Sequence, residues 1–554
     1  MEKQKISLLI ITIFLAVFLR FYKLGKVPSS LYWEEAALGY DAYSILKTGK
    51  DFHGNIFPIV AFESFGDFKP SSYFYAAAVS EFFLGLNQFA VRLPSALAGI
   101  GIVALSMLIA KEIFGSQKHK NSLIVLSGLV TALSPWALQF SRTAFEANLA
   151  AFFSCLGIWL LLMAIKKRPF YFLLAALSFA FSIYTYHSAR IFAPLLLISY
   201  ALLFLKIVKK QWKWVLASAL LGTVLILPII FRIKDPQISH RFQETSAFTK
   251  VAPIVEINKK READGNTILS RILHHRYWYY GETFLKNTLS HFDPNFLFIK
   301  GDENMRHSTG QVGIFYLPDA LFLLVGVLFL GTTLSKKKGL FLIIWWLLAL
   351  VPAGLTKAVP HALRTLLAVP APQIILSYGV WKFIRRTCPP RLTPSGVGRR
   401  VRHIRLIKIF IPAAVFAIYA FFASRHLYDY FGDYQRRASW DWQYGYKEMV
   451  QFVSKNQKNY EKIYITRSLG RPSMYFFFYN KIDPAKVQQE EKKAPKDQGE
   501  MLRFENIIFG LPDKVLKGQK SLLVLGPGEK LEGQILQEIK DKNGNLVFNM
   551  VVNK

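Results

Sequence analysis

The stretch Trp33-Glu34-Glu35-Ala36 sets two adjacent carboxylates just beyond the first long apolar run of the chain. A carboxylate within hydrogen-bond reach of a hydroxyl acts as a base, and a nearby cation steadies an anionic leaving group. Ser29 or Ser30 is placed to cap a helix whose first turn holds both acids, where the helix dipole favours negative charge. Taken alone, that pattern is an ordinary helix start. Its chemical weight comes from the company it keeps. The same segment carries Asp51, His53, Asp67 and Lys69 in the turn-rich runs 49–55 and 66–70, which can gather acids and a lysine at one surface.

Further along come Arg142 in Ser141-Arg142-Thr143, then Tyr186, His187 and Arg190, then Arg306-His307, and His361-Ala362-Leu363-Arg364. Arg142, Arg190 and Arg364 recur at three similar places, each at the end of an apolar stretch. One such arginine is explained by snorkelling to the lipid interface; three together point to a shared phosphate, with bidentate arginines and Lys69 as a point charge. His53, His187, His307 and His361 could ligate a metal with the acids. Their spacings match no known zinc pattern, so they are read as interface histidines bonded to neighbours. No cofactor is expected, and a divalent metal has no support in the spacing. The run Gly526-Pro527-Gly528-Glu529-Lys530 lacks the Gly-Lys-Ser/Thr ending of a phosphate-binding loop.

The elements that must position these residues are membrane spans. Over 554 residues, 52% are hydrophobic, and many windows approach the roughly 20 apolar residues that cross a bilayer. The formal charge of +33 could suggest nucleic acid, but the lysines and arginines recur in short loops between apolar runs, as cytoplasmic membrane loops do. A nucleic-acid partner is not expected on that pattern. Cys155 in an apolar run and Cys388 in a basic loop do not suit a structural disulfide. Lysines ahead of the first apolar run, with Arg20 rather than a small-residue cleavage site after it, indicate an uncleaved span with its N-terminus inside.

Window length and flanking charge place eleven spans at about 6–24, 92–112, 122–140, 147–165, 170–186, 189–207, 212–231, 316–334, 339–357, 363–384 and 406–424. This order puts every strongly basic loop in the cytoplasm, including Lys111 to Lys120, Lys336 to Lys338 and Arg385 to Lys408. The segment 70–85 is apolar but short, begins at Pro70 and contains Glu81. It is read as a helix lying in the outer interface, with a short tilted span as the alternative. The first outer loop is then 25–91 and the long outer loop 232–315. A membrane domain covers 1–424. A small extracytoplasmic α/β domain covers 425–554, with a helix near 445–453 and strands near 462–466, 505–509 and 521–525. The expected fold is a polytopic α-helical membrane protein with outer juxtamembrane helices and this α/β C-terminal domain. It is a multi-pass protein of the plasma membrane.

In order along the chain, the acidic pair Glu34-Glu35, Asp51-Phe52-His53-Gly54-Asn55, Lys69-Pro70 before Tyr73 and Tyr75, Ala90-Val91-Arg92-Leu93-Pro94-Ser95, Ser134-Pro135 ahead of Ser141-Arg142, Tyr186 to Arg190, Arg306-His307-Ser308 and Pro360 to Arg364 resemble the GT-C membrane glycosyltransferases. These enzymes use polyprenyl-phosphate sugars. Within them the chain is most similar to the family 39 type, which includes protein O-mannosyltransferases and lipid A aminoarabinose transferases. The resemblance covers roughly 13–370. The family's usual acidic pair is Asp-Glu, and Glu34 stands here in the place of the catalytic Asp.

The resemblance implies transfer of a hexosyl or pentosyl group from a polyprenyl-phosphate donor to a hydroxyl of a protein, lipid or cell-wall glycan, on the extracytoplasmic face and with inversion. Glu34 is assigned as the base and Glu35 as its companion. Lys69, Arg142, Arg190 and Arg364 are assigned to the donor phosphate, and Asp51, His53, Asp67, Tyr186, His187, His307 and His361 to the substrate. The alternatives are a lipid or glycan transporter or flippase, which would place its charges at mid-span and show internal repeats, and an inactive scaffold that keeps the fold.

Overall fold

The structure, a computed structural model, describes residues 2–553 apart from 116, 118, 167, 233–234, 236–243, 250–251, 334–335, 388–397, 498 and 514–518. Part of the basic loop expected near 385–408 and part of the loop expected over 232–315 therefore lie outside the described residues.

A helix lies on each of the eleven apolar windows. Among the described residues, five are long and apolar enough to cross a membrane: Gln88–Phe114, Glu146–Lys166, Trp212–Phe231, Lys337–Gly354 and Phe410–Arg437. A sixth is broken, with Lys120–Leu133 and Pro135–Ser141 meeting at 58°. The break is local chemistry: Pro135 has no N–H for the helical ladder and pushes Ser134 out of the helical region, to ψ 125. Ile6–Phe21, Tyr171–Thr185, Ala189–Leu203 and Asp319–Gly331 are shorter apolar helices. The window 363–384 departs most from expectation. Its helix, Ala371–Thr387, starts only after Pro370, and residues 366–368 form a single 3-10 turn.

The segment 70–85 forms the helix Ser72–Leu84. Thirteen residues at about 1.5 Å each reach about 20 Å, short of the ~30 Å hydrocarbon core. It buries Tyr73, Phe74 and Ala77 and exposes Val79, Phe82 and Phe83, which suits a helix lying along an interface.

The chain forms two compact units. One comprises Met1–Leu19, Gly99–Phe140 and Ala150–His426; the other comprises Arg20–Ala98, Ser141–Leu149 and Leu427–Lys554. In the first, close helix contact rests on small residues. Gly379 lies so near the Phe322 carbonyl that no side chain fits between the helices Asp319–Thr333 and Ala371–Thr387.

The second unit combines the first outer segment with the chain's tail. The helix Trp33–Thr48 carries the acidic pair in its first turn. The expected serine cap is not what starts it: the N-cap is Tyr32, and the Trp33 N–H donates instead to Gln443 Oε1 at 2.8 Å. A side chain more than 400 positions away thus satisfies an N–H left over by the helix, a partner no local pattern discloses. The tail is the expected α/β structure. Six strands lie in the order Arg503–Phe504, Ile507–Phe509, Lys462–Ile465, Ser521–Leu525, Leu546–Asn553 and Gln534–Lys540. Lys462–Ile465 pairs in parallel with both its neighbours, and the remaining pairs are antiparallel. The last hairpin, Gln534–Lys540 with Leu546–Asn553, has no counterpart among the expected strands. Its outer strand is mostly polar and exposed, so it carries little apolar signal.

Candidate active site

The second unit holds Glu34, Glu35, Asp51, His53, Asp67, Lys69 and Arg142. The two acids, neighbours in sequence, have opposite surroundings. Glu35 is fully buried and meets Arg92 in a fork, Nε to Oε1 at 2.9 Å and Nη2 to Oε2 at 2.8 Å. Its Oε1 also accepts the Ala144 N–H at 2.9 Å. Arg92 gives its remaining N–H groups to the carbonyls of Leu24, Pro28 and Ser30. The pair therefore ties the helix Trp33–Thr48 to the turn before it and to the start of Gln88–Phe114. A buried, fully hydrogen-bonded ion pair of this kind specifies geometry.

The Glu34 side chain is about a third exposed (31%) and points elsewhere. Its Oε2 lies 3.5 Å from Lys69 Nζ and accepts the Tyr32 hydroxyl at 3.1 Å. Lys69 is buried at the end of a two-stranded hairpin, Phe62–Ser64 with Asp67–Lys69. The positive φ of Phe65 (50°) and Gly66 (79°) turns that hairpin tightly enough to set Lys69 opposite Phe62. Glu146, at the start of Glu146–Lys166, lies within electrostatic reach of Lys69, Glu34 and Asp67. One lysine, two glutamates and an aspartate thus make a charged group with a partly open face. Asp67 itself accepts the Phe68 N–H at 2.9 Å.

The other predicted residues of this unit hold the loop. Asp51 accepts the backbone and side-chain N–H groups of Asn55, closing the turn 51–55; burial raises its pKa against those bonds. His53 Nδ1 bonds Glu491 Oε1 at 2.8 Å, with Glu63 3.8 Å from its other nitrogen. Burial disfavours the imidazolium, but Glu491 and Glu63 outweigh it and His53 is raised. Arg142 is buried and donates to the carbonyls of Arg20, Tyr22 and Val27, with its guanidinium over the rings of Tyr430 and Phe431. These bonds make it a staple of the turn at 20–27.

Sequence reasoning did not assign Arg92, Glu146 or Asp41. Arg92 had a signal: a lone arginine early in an apolar helix calls for a partner. Asp41 is buried, accepts Ser64 Oγ at 2.6 Å and the Phe52 N–H at 3.1 Å, and is pushed up to about 7 by burial.

The first unit holds Tyr186, His187, Arg190, His307, His361 and Arg364. Tyr186 and His187 form the turn between Tyr171–Thr185 and Ala189–Leu203, and Arg190 begins the second helix. Nε and Nη2 of Arg190 are buried with no hydrogen-bond partner among the described residues. Arg364 donates to Thr356 Oγ1 at 2.6 Å and to the Ala358 carbonyl. His307 and His361 stand with rings 4.8 Å apart beside Asp302, an acid that sequence reasoning passed over. Burial, then the charges of His307 and Arg364, lower the His361 pKa well below its usual value.

Residues 69–231 match the family described as dolichyl-phosphate-mannose-protein mannosyltransferase. From end to end the chain has the fold of ArnT from Cupriavidus metallidurans. The crystal structure of ArnT bound to undecaprenyl phosphate superposes with a TM-score of 0.56 at 12% identity, covering 99% of this chain and 98% of that one. The apo state gives 0.53 at 11% identity, with 100% and 97% covered. That likeness is one of fold, and the chain is a multi-pass membrane protein.

Two proteins of Bacillus subtilis (strain 168) are similar over part of their length. "Putative mannosyltransferase YkcB" is 29% identical over 179 residues, 32% of this chain and 23% of that protein. "Putative mannosyltransferase YycA" is 29% identical over 158 residues, 28% and 22% respectively. The chain thus matches under a quarter of the length of these relatives.

Proposed function

We propose that this chain is a membrane glycosyltransferase. It transfers a sugar from a polyprenyl-phosphate donor to a hydroxyl acceptor on the extracytoplasmic face, with the N-terminus in the cytoplasm and the α/β tail outside. The observation that carries the reading is the contrast within the acidic pair. Glu35 is locked by Arg92, whereas Glu34 keeps a partly open carboxylate 3.5 Å from the buried ammonium of Lys69. A candidate base on a braced helix thus faces a candidate phosphate-binding cation on the neighbouring hairpin. The family match over 69–231 and the ArnT-like fold support the same class, and undecaprenyl phosphate bound to ArnT supports a lipid-phosphate donor.

Glu34 takes the proton of the acceptor hydroxyl as its oxygen attacks the anomeric carbon. The bond from that carbon to the phosphate oxygen breaks, and polyprenyl phosphate leaves with the electron pair. Attack from the face opposite the phosphate inverts the centre. Phosphate is a stable anion, so its departure needs positive charge more than a proton, and Lys69 supplies that charge. As the phosphate engages Lys69, Glu34 loses its cationic neighbour and becomes a stronger base. In the first unit, Nε and Nη2 of Arg190, buried without a hydrogen-bond partner among the described residues, support an anion-binding role for that side chain. Asp67 and Glu146 adjust the charge around Lys69, and Asp51 and His53 hold the loop from which the site is built.

The test is release of free polyprenyl phosphate by the purified protein from a panel of polyprenyl-phosphate sugars, with Glu34→Gln beside it. Turnover falls by about 10²–10⁴-fold in the variant, while donor binding survives. Equal turnover in Glu34→Gln removes Glu34 as the base. Donor flipping without bond cleavage replaces the enzyme with a transporter.

A further inference from the structure

We propose that Asp302, His307 and His361 form a binding site for a divalent transition-metal ion, with zinc the preferred occupant. One potential ligand atom from each residue lies within 4.8 Å of the other two. Asp302 Oδ2 is 3.2 Å from His307 Nδ1 and 3.8 Å from His361 Nδ1. Four-coordinate zinc, bound at about 2.0–2.1 Å, sets its ligand atoms about 3.3 Å apart, so small side-chain shifts bring all three onto one ion.

A second observation points to a ligand. Nδ1 of His361 is buried and makes no hydrogen bond among the described residues. A buried ring nitrogen left unsatisfied is costly, and a metal in front of it removes the cost.

The surroundings hold these residues as metal ligands are usually held. The Ala362 N–H donates to Asp302 Oδ2 at 2.8 Å, and the Asn304 N–H to Oδ1 at 2.9 Å. His291 Nδ1 donates to the Asn287 carbonyl at 2.9 Å, which leaves Nε2 to accept the His361 N–H at 3.1 Å. That bond fixes the backbone from which the His361 ring projects. The ring of Phe140 packs 5.7 Å from that of His307. The ion would clip the loop around 302–307 to the turn at 361, far apart in sequence but both in the first unit. Two imidazoles and one carboxylate suit zinc over magnesium or calcium, which prefer all-oxygen sites, and leave a fourth position for water or a substrate group.

The test uses the full-length protein without a polyhistidine tag, stripped with a chelator and titrated calorimetrically with Zn²⁺. One zinc binds per chain and excess Mg²⁺ does not displace it. Asp302→Asn and His361→Gln each weaken binding by at least about tenfold, while His53→Gln, at a histidine outside the cluster, leaves it unchanged. Because a variant can misfold, the wild-type protein is also loaded with Co²⁺. A visible absorption band with the intensity of a four- or five-coordinate nitrogen–oxygen site supports the proposal. The spectrum of hydrated cobalt overturns it, as does zinc binding that is absent or unaltered in both variants.

Discussion

Arg92 and Glu35 meet in a two-pronged ion pair sealed from solvent, with both carboxylate oxygens engaged and every guanidinium nitrogen hydrogen-bonded. Removing one partner leaves the other charged and buried. Glu35→Gln therefore destabilises the protein by about 3–5 kcal/mol, seen as a large fall in thermal midpoint in detergent. The double change Glu35→Leu with Arg92→Met recovers much of that loss, because neither charge is then stranded. A Glu35→Gln protein as stable as the parent would refute this role.

Lys69 is expected to act on the donor and not on the fold alone. Lys69→Met lowers kcat/KM for the donor by about 10²–10³-fold, the usual consequence of losing one group that stabilises developing negative charge. Lys69→Arg restores part of it. Steady-state kinetics on folded protein decide the matter; a stability loss with unchanged kcat/KM would make Lys69 merely structural.

The His53–Glu491 bond sets a pH window for the loop. His53 is raised, so its contribution is fully present below its unfolded value of about 6.5 and disappears as pH rises through the folded value. Glu491 is lowered: burial opposes ionisation, but the bonds from His53 and Lys496 prevail. Its contribution is present above about 4.3 and is lost as pH falls through the folded value. Limited proteolysis of the loop 49–66 is accordingly slowest between these limits. In His53→Gln the protection lost at alkaline pH is already missing at pH 6; cleavage with the parent's pH profile in that variant would count against the clasp.

Gly39 marks the closest approach of the acid-bearing helix to its neighbours. A Cβ there would lie 2.6 Å from Val91 Cγ2 and 2.7 Å from Phe478 Cε2. Gly39→Val overpacks the contact and costs about 1–3 kcal/mol. Because the helix shifts with it, turnover falls along with the thermal midpoint. An unchanged midpoint would show that the contact yields freely.

The membrane-spanning helices were legible in the residues themselves, because crossing a bilayer demands long apolar runs. The same holds for the acidic pair at a helix start and for the strands 462–466 and 521–525, whose apolar residues must be buried wherever they pair. What no local pattern contained was which carboxylate is closed and which is open. Glu34 and Glu35 differ by one position on a helix, a turn of about 100°, and have equal chemistry. Arg92, 57 positions on, closes one, and Lys69 on its hairpin stands beside the other. Asp302 stayed hidden for the same reason: its histidine partners are 5 and 59 positions away, and only the tertiary fold brings those side chains within reach of one another.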